Sequence, residues 1–140
     1  MIELKDLTKK YGDFKAVNNL NLCVKKGEVF GFIGPNGEGK TTTIKMMSGI
    51  LEPTGGTVSI AGIKMRDEPE KAKSKIGFIP DRPYLYEKLS GMEFLKFTAD
   101  LYGVPDAMYR KKAQKNLEMF SLADWSDELI ESYSHGMKQR

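Results

Sequence analysis

One cysteine, one histidine and one tryptophan are all that the 140 residues hold of those types. The lone Cys23 rules out an internal disulfide, and with a single histidine no four-ligand zinc site can be assembled from Cys and His. No apolar run approaches the ~20 residues that a membrane-spanning helix requires. The longest, Val29-Phe30-Gly31-Phe32-Ile33, is of strand length. The opening, Met1-Ile2-Glu3-Leu4-Lys5-Asp6, mixes charged and apolar residues and has no leader-like apolar core, so a cytoplasmic chain is expected. A surplus of charge is also missing: 22 Lys and Arg face 19 Asp and Glu, a net +3. The densest basic group, Arg110-Lys111-Lys112 with Lys115, lies in a helical pattern beside Glu118. It reads as a solvated helix face, and no nucleic-acid partner is expected.

What is present is a 40% apolar share with 29% charged residues, the balance of a globular domain with a real core. Ile2, Leu4 and Leu7 predict a first strand that turns at Tyr11-Gly12-Asp13. Ala16-Val17 suggests a short strand, and Leu20, Leu22 and Val24 alternate as a half-buried strand does, with Cys23 read as a buried or half-buried member of it. Val29 to Ile33 is apolar on both faces and reads as a central strand. A helix over Thr41 to Ser48 with Gly49 as its stop comes next, then a strand at Thr57-Val58-Ser59-Ile60 and a helix within Asp67 to Lys75. A short strand, Ile76-Gly77-Phe78-Ile79, ends at Pro80. From Ser90 on the pattern is helical. Phe94, Phe97 and Leu101 follow a candidate N-cap at Ser90, and Ala113, Leu117 and Phe120 follow Pro105; both sets read as core packing. The expected fold class is α/β, with a mixed strand and helix part over residues 1–80 and a helical part over 81–140.

Between the predicted central strand and the helix after it stands Gly34-Pro35-Asn36-Gly37-Glu38-Gly39-Lys40-Thr41, a match to G-x-x-x-x-G-K-[ST]. Several negative charges on a polyphosphate must be held without a large desolvation cost. Glycines let backbone N–H groups converge where side chains would collide, and the start of a helix adds unpaired N–H groups and a positive dipole end. Lys40 supplies a mobile positive charge for the terminal phosphates, the Thr41 hydroxyl suits Mg²⁺, and Thr42 can donate to a phosphate oxygen. Strand, loop and helix in that order point to binding of ATP with Mg²⁺.

Gly34-Pro35-Asn36-Gly37-x-Gly39-Lys40-Thr41-Thr42-Thr43 resembles the phosphate loop of ATP-binding-cassette (ABC) transporter ATPases. The opening Leu4-x-x-Leu7-x-Lys9-x-Tyr11-Gly12 is similar to the family's adenine-stacking segment, with Tyr11 in the aromatic position. Tyr133-Ser134-His135-Gly136-Met137-Lys138-Gln139-Arg140 resembles the signature sequence, usually LSGGQ-x-x-R. There Ser134, His135 and Gly136 would face the nucleotide held by an opposite cassette. Together these strings run from Leu4 to Arg140. Pro80 to Gly91 looks like cassettes that power bacterial multidrug or polysaccharide-type exporters. The resemblance implies a P-loop core with an antiparallel β part, a helical subdomain ending in the signature, a second cassette as partner, and a transmembrane permease subunit at the inner face of the membrane.

Three residues depart from the family pattern. Glu38 stands where Ala, Ser or Cys is usual and puts a carboxylate beside an anion site. Asp81 takes the place of a Gln that contacts Mg²⁺, a role a carboxylate can also fill. His135 replaces a glycine. The family's Asp-Glu pair after an apolar strand, and its later histidine, have no counterpart: Asp67-Glu68 and Asp127-Glu128 follow no such strand. The chain is thus expected to be the first part of a longer cassette, with negligible ATP turnover by itself. A non-hydrolysing fragment, a regulatory cassette and a soluble non-transport cassette protein are the alternatives.

Overall fold

The computed structural model describes residues 1–80 and 84–140, so the expectation placed on Asp81 lies outside the described residues. The chain divides into two compact units, Met1–Phe78 and Ile79–Arg140.

The first unit is an antiparallel sheet with helices. Strands β1 (Ile2–Tyr11) and β2 (Phe14–Val24) form a hairpin that turns at Gly12 and Asp13, and β3 (Gly55–Ile60) and β4 (Ile63–Lys64) complete the order β2-β1-β3-β4. Ala16-Val17 and Leu20 to Val24 are therefore one strand rather than two. Leu4 and Leu7 are three residues apart, and on a regular strand they would face opposite sides. Both are buried, because Asp6 takes φ 49° and breaks the register between them. Asn21 Oδ1 accepts the Asp6 amide at 2.9 Å, so the bulge keeps its hydrogen bond. Helix α1 (Lys40–Met47) sends Met46 into this core with Val17, Val58 and Ile60, and the short α2 (Pro69–Lys73) adds Ala72. Strand alternation turns Leu22 and Val24 inward and leaves Cys23 exposed, which corrects the expectation that it is at least half-buried.

Val29 to Ile33 pairs with no strand among the described residues, against the expectation of a central strand; Val29 is 100% and Ile33 93% exposed. Ile76 to Ile79 is likewise unpaired. Apolar composition supplies a tendency to be buried, but a strand also needs a neighbour's backbone. Here β1 already has β2 on one edge and β3 on the other.

The second unit is helical. Ser90 caps α3 (Gly91–Leu101): its Oγ accepts the Glu93 amide at 3.2 Å, and the Glu93 carboxylate accepts the Ser90 amide at 2.8 Å. Helix α4 (Asp106–Met119) follows Pro105 and buries Tyr109, Ala113 and Leu117, spaced four apart on one face. Phe97, Leu101 and Phe120, expected in the core, are exposed. The small Ala99 faces α4 instead, and Phe97 packs edge-on against Tyr86 with 5.3 Å between ring centres. A short α5 (His135–Gln139) ends the described chain.

Candidate functional site

Residues 34–39 form an irregular loop that runs directly into α1. Gly39 is the N-cap of that helix, in the left-handed region at φ 78° and ψ 8°, and no side chain caps the first turn. The first helical bond is donated by the Thr43 amide to Gly39 O at 2.8 Å. The amides before Thr43 therefore open toward the loop, with the positive end of the helix dipole behind them.

What fixes the loop is its contact with β2. A Cβ on Gly39 would stand 2.2 Å from the Ala16 carbonyl oxygen and 2.9 Å from Val17 Cγ2. Positive φ and this close approach both demand glycine. No sequence motif marks Ala16 and Val17 as parts of the site, because a seat formed by backbone leaves none. Below the loop, Thr43 is buried at 1% exposure, while Thr42 is half-buried and Thr41 exposed. The hydroxyl series thus runs from the core outward along the start of α1.

The Lys40 ammonium donates to the carbonyls of Gly34, at 2.5 Å, and of Pro35. The cation is folded into the loop that it follows, held by neutral acceptors. Glu38 lies on the same side: its Oε2 is 3.2 Å from the point where a Gly34 Cβ would stand, and Lys40 Cδ is 3.8 Å from that point. Tyr11 ends β1 with its ring about half exposed and the Lys9 ammonium 5.4 Å from its centre. Its cross-strand partner Phe14 is two residues along β2 from Ala16, so Tyr11 and the loop's seat share the hairpin's turn end.

As a magnesium site the donor set is sparse. Among the described residues no three His, Cys, Asp or Glu side chains gather for a metal. The exposed Thr41 hydroxyl at the loop fits an ion that keeps most of its waters and takes its other ligands from phosphate.

Ser134, His135 and Gly136 belong to the second unit. Ser134 is the N-cap of α5, its Oγ accepting the Met137 amide at 3.3 Å, and all three residues are exposed. Lys138 pairs with Glu87 at 2.6 Å, and its hydrogen bond and charge hold the Glu87 carboxyl below the ordinary range. Arg140 Nη1 donates to Phe120 O at 3.0 Å, at the end of α4. The Tyr133 hydroxyl donates to Trp125 O at 2.5 Å, and burial pushes that hydroxyl's pKa up.

A glycine loop closed by Gly-Lys-Thr, seated on a hairpin and continuing into a helix, defines a P-loop nucleotide-binding protein. Comparison with known proteins gives the family. The ABC transporter family profile matches residues 17–140. Over the whole chain the sequence is 38% identical to the probable multidrug ABC transporter ATP-binding protein YbhF of Escherichia coli, covering 24% of that protein. It is 38% identical to the linearmycin resistance ATP-binding protein LnrL of Bacillus subtilis, covering 45% of it. With the bacitracin transport ATP-binding protein BcrA of Enterococcus faecalis the identity is 39%, over 44% of that protein. Among solved structures, an ATP-binding subunit of an ABC transporter is 36% identical with a TM-score of 0.87, over 99% of this chain and 57% of that one. The cassette MJ0796, a dimer in a post-hydrolysis state bound to ADP and Pi, is 29% identical with a TM-score of 0.81, over 99% of this chain and 65% of that one. This chain belongs to the ABC transporter family, and it spans less than half the length of these curated relatives.

Proposed function

We propose that this chain is the nucleotide-gripping part of the ATP-binding subunit of an ABC transporter that exports antibiotic-like compounds. The observation that carries the reading is Gly39, locked at positive φ against Ala16, which aims the first amides of α1 into the loop that holds Lys40. On binding, Lys40 would exchange the Gly34 and Pro35 carbonyls for phosphate oxygens, a swap of neutral for charged acceptors that favours the bound state. Pro35, Asn36 and Gly37 contribute backbone to the cradle, Thr42 donates to phosphate, and Tyr11 offers a flat face to adenine. Thr41 would hold Mg²⁺, which supplies charge neutralisation on the phosphates when bound.

Ser134, His135 and Gly136, by their likeness to the signature, would meet the nucleotide of a second cassette. A permease subunit would complete the transporter, with the chain at the cytoplasmic face of the membrane. No helix among the described residues is long and apolar enough to cross a membrane, which suits a peripheral subunit. The relatives named for multidrug, linearmycin and bacitracin functions support export as the direction. They also favour transport over a soluble, non-transport role.

A ligand that binds only the folded chain raises its melting temperature in proportion to the logarithm of its concentration. Mg-ATP is expected to do so, while Mg-free adenosine at equal concentration is expected not to. Equal melting curves with and without Mg-ATP up to millimolar concentration would refute the reading.

A further inference from the structure

The departure at Glu38 has a geometry of its own. Gly34 opens the loop and Lys40 closes it, and the place a Gly34 Cβ would take has the Glu38 carboxylate 3.2 Å away and the Lys40 stem 3.8 Å away. The carboxylate therefore stands beside the first glycine of the loop and near the Lys40 stem. No ion pair to Glu38 occurs among the described residues, and the Lys40 ammonium goes to the Gly34 and Pro35 carbonyls instead. An unneutralised carboxylate thus stands beside a lysine, uncapped helix amides and a glycine-lined mouth, the groups that would attract a phosphate.

We propose that Glu38 is a tethered competitor for the phosphate seat and biases the loop toward the metal-complexed nucleotide over the free one. The inference rests on the phosphate-loop reading above and adds a selectivity to it. An incoming polyphosphate must either displace the carboxylate or sit beside it, and the Coulomb cost grows with the charge that the ligand brings. A bound divalent cation removes about two of those charges, so the Mg complex meets a smaller penalty than the free nucleotide. Because Glu38 is exposed, the penalty is screened and must shrink as salt is added.

The test is a titration of the 140-residue chain and of its Glu38→Gln and Glu38→Ala variants with ATP, once with Mg²⁺ and once with EDTA. Glu38 makes no hydrogen bond among those described, so both variants should melt as the parent does. Glu38→Gln keeps the shape and removes the charge. It is expected to tighten Mg-ATP by about threefold and metal-free ATP by about tenfold at low salt, with both gains shrinking toward unity at ~0.5 M salt. Glu38→Ala should match it. Unchanged or weaker binding in Glu38→Gln would overturn the inference. So would equal gains for the two forms of ATP, or a gain confined to Glu38→Ala, which would mark bulk as the cause. Failure of the parent and both variants to bind either form, with cooperative melting intact, would instead overturn the phosphate-loop reading itself.

Discussion

Lys138 and Glu87 form an ion pair at 2.6 Å that ties α5, the helix capped by Ser134, to the segment leading into α3. Its hydrogen bond and then its charge lower the Glu87 pKa from the ordinary 4.5, with Lys88 adding a smaller effect. A depressed carboxyl pKa contributes stability that is fully present above the unfolded value and is lost as pH falls through the folded one. The α5 segment is therefore expected to hold above about pH 4.5 and to loosen below it. Amide exchange at Met137 and Lys138 should speed up over that acid range in the parent, and should already be fast and nearly pH-flat in Glu87→Gln once intrinsic exchange is subtracted. Both groups are solvent-accessible, so global stability should hardly change.

Gly39→Ala combines an added Cβ 2.2 Å from a carbonyl oxygen with a φ of 78° that alanine resists. A loss of more than ~1 kcal/mol is expected, seen as a fall of about 5–10 °C in melting temperature. Nucleotide affinity should drop by at least about tenfold as the helix amides lose their aim. Gly37→Ala has open space around the new methyl and meets only the backbone cost of its own positive φ, so it should be the milder change.

Ser90→Ala removes the hydroxyl that accepts the Glu93 amide and leaves the Glu93 carboxylate with half of the reciprocal pair. The helical unit should lose about 1 kcal/mol, measured by urea unfolding, while Ser90→Asp should keep most of it.

Val29, Phe30 and Ile33 expose apolar surface on a segment with no strand beside it among the described residues. An uncovered run of this kind recruits other chains. Light scattering across a concentration series should find the 140-residue chain self-associating, and Val29→Lys with Ile33→Lys should shift it toward monomer. A concentration-independent monomer in the parent would contradict this.

Most of the phosphate loop was legible because its chemistry is local. The helix after the loop, expected from Thr41 and observed from Lys40, and its stop at Gly49 both follow from residues adjacent in sequence. The Ser90 cap was legible for the same reason. What could not be read was pairing and seating. The Asp6 bulge, which lets both Leu4 and Leu7 face inward, keeps its hydrogen bond only because Asn21, 15 residues away, supplies its oxygen. The bed of Gly39 on Ala16 is a backbone contact that no side-chain pattern encodes. A continuous apolar run suggests a strand at Val29 to Ile33 because apolarity measures the tendency to be buried, whereas strand formation depends on a partner elsewhere. Phe97 and Leu101 were assigned to a core by spacing alone, yet the face of α3 turned toward α4 is the one carrying Ala99.

Lys40 is the one side-chain charge proposed to grip phosphate, and its ammonium rests on two loop carbonyls. Calorimetric titration of the chain with Mg-ATP, beside Lys40→Ala, tests this most directly. The parent should bind one nucleotide per chain and Lys40→Ala should bind at least about a hundredfold more weakly, a loss of ~2.7 kcal/mol, with its melting curve unchanged. Equal affinity for the two proteins, or no binding by a cooperatively folded parent, would contradict the account.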